Sequence, residues 1–222
     1  MHRSYKTEGI IVKRRNFGEA DRVLTILTKN HGKIQVKAPG VRRITSRRSS
    51  HIELLNLVLL TLYRSSRSSL PILTEAQALE EFLSIKKTLR KIGFAYYICE
   101  LIDTLCAERE ENRRIFFLTK DTLFKLADLK IDFTQDLYSR HSGLSRISLN
   151  HGDSGCPAFT RMTDSEKGLS IVSDFEDELL VLSGFLPRQH KLVDKMTFIE
   201  SILEKKLRTR RLLPLFLNSD KC

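Results

Sequence analysis

The chain has 222 residues, 41% of them hydrophobic and 29% charged, with a formal net charge of +11. This length and apolar fraction fit one large or two small globular domains and argue against intrinsic disorder. No apolar run approaches the ~20 residues that a bilayer-spanning helix needs, and the opening MHRSYKTEGI has no apolar signal core, so a soluble, intracellular chain without a membrane role is expected.

The first eighty residues alternate as short strands separated by turn chemistry. Gly9 to Lys13 and Arg22 to Thr28 are rich in β-branched residues, with Asn16-Phe17-Gly18 placed to turn between them. After Asn30-His31-Gly32, the run Lys33 to Ala38 alternates without a break, which puts Ile34, Val36 and Ala38 toward a core and Lys33, Gln35 and Lys37 toward water. Pro39-Gly40 ends that strand. Val41 to Ser50 reads as a mobile basic loop, and Leu54 to Tyr63 and Leu70 to Thr74 complete about five strands, a number that suits a small closed barrel.

Beyond residue 80 the period changes to that of a helix. Thr74 to Gln77 has the spacing of a helix-starting capping box, and Phe94, Tyr97, Ile98, Leu101, Ile102 and Leu105 form one apolar stripe. Phe116, Leu123, Leu126 and Ala127 form another. Ser173 to Glu176 reads as a further helix start, and a last helix is expected over about 194–211. Residues 138–172, rich in Ser, Gly, Asp and His, read as a loop-rich insertion. The expected organisation is α+β: a barrel over 1–80, then an all-α helical domain over 81–222 that carries the insertion. Of the four cysteines, Cys99 and Cys106 sit in helix-like apolar sequence as small hydrophobes, and the wide spacing of all four, with Cys156 and Cys222, argues against a disulfide framework.

Charge is regional. Residues 1–80 hold 15 Lys/Arg against 6 Asp/Glu, whereas 81–222 hold 23 against 21, so +9 of the +11 belongs to the barrel. Lys13, Arg14, Arg15, Lys33, Lys37, Arg42, Arg43, Arg47, Arg48, Arg64 and Arg67 form the candidate polyanion-binding set. Guanidinium groups match phosphate with a planar fork of donors, and counterion release would supply much of the affinity. Phe17 and Tyr63 are candidate base-stacking platforms, although a turn and a core role respectively explain each of them better. The bland alternative for the whole set is a solvated surface. Lys205, Lys206, Arg208, Arg210 and Arg211 near the C-terminus either extend the DNA surface or answer a helix dipole. There is no Walker loop, GxSxG or HExxH, and no carboxylate cluster of nuclease type, so no catalytic residues and no small-molecule substrate are expected.

The run from Thr7 to Ile34, with Gly-Glu-Ala-Asp-Arg at 18–22, resembles the opening of bacterial RecO proteins, and Ala38-Pro-Gly-Val-Arg-Arg43 resembles that family's following turn. The likeness continues through Tyr96 to Asp103. It implies an OB-fold barrel followed by a helical domain, and a non-enzymatic DNA-repair and recombination mediator. Such a mediator binds single-stranded DNA, anneals complementary strands and, with RecR, helps load recombinase onto DNA coated with single-strand-binding protein. The partners implied are single-stranded DNA, RecR and the acidic tail of the single-strand-binding protein; the location implied is the cytoplasm, at the nucleoid. Arg113, Arg114, Phe116 and Phe117 are the candidate holders of that tail. Pro39 stands where many relatives carry Lys, which would remove one phosphate contact. Many relatives also place paired Cys-x-x-Cys motifs in the insertion. Here the matching places are Ser139 to Gly143 and Cys156 to Phe159, with three of four thiolates gone, and a set rebuilt from His141, His151, Asp153 and Cys156 is not specified by spacing. No zinc or other cofactor is therefore expected. The other function class that fits the basic barrel is an OB-fold RNA-binding or translation-associated module.

Overall fold

The computed structural model describes residues 4–64, 69–129, 164–187 and 195–209. Five strands, β1 (Ser4–Phe17), β2 (Asp21–Thr28), β3 (Gly32–Ala38), β4 (Leu57–Tyr63) and β5 (Ile72–Glu80), close into a barrel in the order β1-β2-β3-β5-β4. The long β1 makes this closure: its first half pairs with β4 and its second half with β2, and the register shifts at a bulge between Ile11 and Lys13. The seam between β3 and β5 is parallel, at Lys37 and Ile72, with the Lys37 amide donating to the Pro71 carbonyl at 2.9 Å. This is the five-strand barrel of the OB fold.

The helical body contains α1 (Leu83–Lys86), α2 (Leu89–Leu105), α3 (Arg113–Asp128), α4 (Asp164–Leu182) and α5 (Lys195–Leu203). Both expected apolar stripes face the interior: Phe94, Tyr97, Ile98, Leu101, Ile102 and Leu105 on α2 are buried, as are Phe116, Leu123 and Leu126 on α3. Asn112 starts α3 by accepting from the amides of Arg114 and Ile115 at 3.1 and 3.2 Å, which satisfies two donors that the first turn leaves over. On α4, Gly168 lies against the Phe94 ring so closely that an added Cβ would come within 2.6 Å of it.

Two apolar cores result. One fills the barrel with Ile11, Leu24, Ile26, Val36, Leu60 and Leu62. The other joins Ile10, Val12, Leu27, Leu55 and Leu57 to the buried faces of α2, α3 and α4. The barrel's outer wall is thus part of the helical core.

Several boundaries differ from the sequence expectation. Thr74 to Gln77 starts no helix: these residues lie in β5, where Ala76 pairs with Leu60 and Ala78 with Val58, and cross-strand pairing overrides the local helix signal. Ser173 to Glu176 is mid-helix, because Val172, Phe175 and Leu179 carry the buried face of α4 straight through it. That helix begins at Asp164, inside the segment read as insertion. The last helix stops at Leu203 instead of about 211. The remainder of the insertion, with Ser139, His141, His151, Asp153 and Cys156, lies outside the described residues, as do Arg67, Arg210 and Arg211.

Candidate nucleic-acid interface

Strand register places the basic residues. Pairings run Lys13 to Thr25 to Gln35, and Arg15 to Val23 to Lys37, across β1, β2 and β3. Because side chains alternate, Lys13, Arg15 and Phe17 share one outward face, and Lys37 joins them from β3. The next row down the same face is Ile10, Leu27 and Lys33, and the helical body covers it. The open part of the face is therefore cationic, with an aromatic edge. Phe17 is 54% exposed, and the Lys37 ammonium sits 5.1 Å from its ring centroid.

The chain from Val41 to Ser50 is a series of turns between β3 and β4. Val41 and Ile52 are buried and pin both ends. The Arg42 amide donates to the Ala20 carbonyl at 2.9 Å, and its guanidinium donates to the Gly18 carbonyl at 3.1 Å, which ties the segment to the β1–β2 turn beside Phe17. Asp21 completes the tie: it accepts from the Gly40 amide at 2.8 Å and pairs with Lys37 at 3.1 Å. The amide bond first and the ammonium second hold this carboxyl below its usual pKa.

The candidate cations divide by what already holds them. Arg48 is a strap: it donates to the carbonyls of Leu73 at 2.8 Å, Pro39 at 2.9 Å and Thr74 at 3.2 Å. Its guanidinium is engaged by the backbone, which leaves fewer of its donors for a phosphate. The reading of Lys33 is corrected: it is 6% exposed, and its ammonium donates to the Asp103 carbonyl of α2 at 2.5 Å instead of facing water. Lys13 pairs with Asp103 at 2.5 Å, and Arg14 with Glu53. Such exposed pairs are weak enough to be exchanged for phosphate. Arg15 makes one long bond, to Gln35 at 3.4 Å, while Arg43 and Arg47 have no side-chain bond among the described residues. Between Arg43 and Arg47 stands Ile44, an aliphatic residue fully exposed at the tip. Sequence reasoning missed it, since only a turn that points outward distinguishes it from a core isoleucine.

A groove of about 390 Å³ continues from this surface to the C-terminal cluster. Its lining includes Lys13, Arg14, Lys205 and Arg208, the carboxylates Glu100 and Asp103, and the apolar Val12, Leu54 and Tyr96. Glu100 clips the C-terminal segment here by accepting from the amides of Arg208 and Thr209 at 2.7 and 2.8 Å. Lys205, Lys206 and Arg208 follow the end of α5 instead of lying in its last turn.

On α3, Phe116 is fully buried, which removes it from the proposed tail-holding surface. Phe117 is 48% exposed with the Lys29 ammonium 5.7 Å from its centroid, and Arg113 pairs with Glu111 at 3.1 Å. Among the described residues no group of His, Cys, Asp and Glu could hold a metal ion, and no helix is long and apolar enough to cross a membrane.

A closed five-strand barrel with one uncovered, cationic face, backed by a helical body, defines an OB-fold protein of two-part build. Residues 1–82 match the family model described as Recombination protein O N terminal, and 86–138 the one described as Recombination protein O C terminal; the chain belongs to the RecO family. It is 41% identical over 140 residues to the DNA repair protein RecO of Roseiflexus sp. (strain RS-1), covering 63% of this chain and 48% of that one. It is 38% identical over 122 residues to the DNA repair protein RecO of Dehalococcoides mccartyi (strain ATCC BAA-2100), covering 55% of this chain and 47% of that one. The protein of that name from Pelotomaculum thermopropionicum is 33% identical over 123 residues, with the same two shares. The chain spans about half the length of the curated relatives it matches.

Proposed function

We propose that this chain is a DNA-repair and recombination mediator that binds single-stranded DNA across the open face of β1, β2 and β3. The observation that carries this reading is the convergence, on one uncovered barrel face, of Lys13, Arg15 and Lys37 with an exposed aromatic, Phe17, at its edge, bordered by the turn segment that carries Arg42, Arg43 and Arg47. Phosphates take the guanidinium and ammonium groups, while bases meet Phe17 and the aliphatic tip at Ile44. The strand then continues along the groove to Lys205 and Arg208. Neutralising phosphates while leaving bases accessible is what annealing requires, and it asks for no catalytic group. RecR and the acidic tail of the single-strand-binding protein are the proposed protein partners, by likeness to the RecO family, and the nucleoid the proposed location. Phe117 with its neighbouring cations is the remaining candidate for the tail.

The test is strand annealing with DNA coated by cognate single-strand-binding protein, with and without its acidic tail. Faster annealing that depends on the tail is the expected result. Annealing no faster than the uncatalysed background on either form would overturn the mediator reading. Competition between DNA and RNA of one sequence separates the RNA-module alternative, since only a reader of the 2′-hydroxyl prefers RNA.

A further inference from the structure

Beside the open face, across the β3–β5 seam, lies a second cavity of about 240 Å³. Its lining is polar: Tyr5, Asn30, His31, Gln35, Arg64 and Arg109. These residues come from five separate stretches of chain, which only the closed barrel and the docked α2–α3 connection bring together. Gln35 belongs also to the row Lys13, Thr25, Gln35 of the open face, so the two surfaces are contiguous.

Two further observations mark this place. Arg109 adopts φ 61°, a left-handed conformation that a residue with a Cβ rarely takes and that has to be held by its surroundings. Its amide donates to the Lys33 carbonyl at 2.8 Å, and its guanidinium reaches the Ser69 carbonyl at 3.4 Å. These two bonds hold Arg109 where it lines the cavity. The Tyr5 and His31 rings meet edge to face, with centroids 4.6 Å apart. Burial raises the pKa of the Tyr5 phenol while Arg64 and Arg109 pull it back, so both cations act on the same point in space. Glu111 also lines the cavity, and Arg113 engages it at 3.1 Å.

We infer that this cavity is a phosphate-binding subsite for a nucleic-acid strand, with Arg64 and Arg109 as the phosphate forks and the exposed His31 ring as the surface for the adjoining base. Two guanidinium groups with a phenol donor suit a phosphate oxyanion, and the aromatic edge suits a base plane. The inference rests on the nucleic-acid reading of the barrel. A strand leaving the open face over Gln35 would set either a terminal or an internal phosphate here.

The experiment measures binding of the full chain to a fluorescent oligothymidylate, with and without a terminal phosphate at each end, over a range of salt. The variants are Arg64→Ala and the double variant Arg64→Ala/Arg109→Asn; asparagine tolerates the left-handed backbone, and Arg64 makes no side-chain bond among the described residues, so Arg64→Ala alone preserves the fold. Both variants are expected to bind at least about 5-fold more weakly, with a salt slope shallower by roughly 0.7 per lost contact. A loss confined to the phosphorylated oligonucleotides assigns the subsite to a strand end, and a loss on all of them to an internal phosphate. Wild-type affinity and slope in both variants overturn the subsite while leaving the open face intact. Absence of binding by the wild-type chain itself would remove both.

Discussion

Replacing Arg48 by alanine separates a fold contact from a DNA contact inside one cluster of four arginines. Its guanidinium bonds at 2.8 and 2.9 Å tie β5, at the buried Leu73, to the end of β3, at Pro39, with a longer third bond to Thr74. Taking a net ~1 kcal/mol for each of the two shorter bonds gives a loss of about 2 kcal/mol. For a chain of this size that lowers the melting temperature by about 4–8 °C. Well below that temperature the Arg48→Ala protein is folded, and its salt slope for single-stranded DNA is expected to equal that of the wild type. The double variant Arg43→Ala/Arg47→Ala should behave the other way, with a nearly unchanged melting temperature and a slope shallower by about 1.4, two contacts at ~0.7 each. Calorimetry and salt-dependent anisotropy read the two quantities independently. An Arg48→Ala protein that melts like the wild type and loses slope would refute this division of labour.

Phe17→Ala should cost about 1–3 kcal/mol in binding of single-stranded DNA, the worth of one stacked base, with little change in stability because the ring is already exposed. Gly32→Ala should destabilise the chain by more than ~1 kcal/mol in urea, since Gly32 has φ +62° and an added Cβ would lie 1.9 Å from the Glu110 carbonyl oxygen. Burial pushes the Cys99 thiol up to about 12 and the Cys106 thiol to about 11. Neither should therefore be alkylated in the native chain at pH 8, and peptide mapping after iodoacetamide treatment checks this. Burial also raises the pKa of Glu176, against the Tyr97 hydroxyl that donates to it at 2.6 Å. A carboxyl raised on folding contributes most stability below its unfolded pKa and loses it as pH rises through the folded one. Glu176→Gln should accordingly flatten the stability profile from pH 4 upward; an unchanged profile would contradict that sign.

The barrel was readable where burial is one-sided. In β3, Ile34, Val36 and Ala38 alternate with polar residues because only one side meets the barrel interior, and the helix stripes of α2 and α3 were readable for the same reason. Reading failed where a distant partner decides the outcome. Thr74 to Gln77 has a helix-start pattern, but β4 supplies backbone partners that hold it extended. Lys33 has the alternation of a water-facing residue, yet α2 covers that row and offers the Asp103 carbonyl in place of water. The four arginines of the β3–β4 segment look equivalent as sequence, because a turn has no periodicity that tells which side chain folds back. Ile44 and Arg109 left no local signal at all: each acquires its role from the direction in which a turn points it.

The second apolar core has a practical consequence for anyone dividing this chain. Ile10, Val12, Leu27, Leu55 and Leu57 belong to the barrel by sequence and to the helices by contact. A fragment cut after Glu80 would carry these five side chains as a bare oily wall beside a lysine deprived of its acceptor, and such a patch invites aggregation. The barrel is best regarded as a face mounted on the helices, so DNA affinity should be measured on the undivided chain.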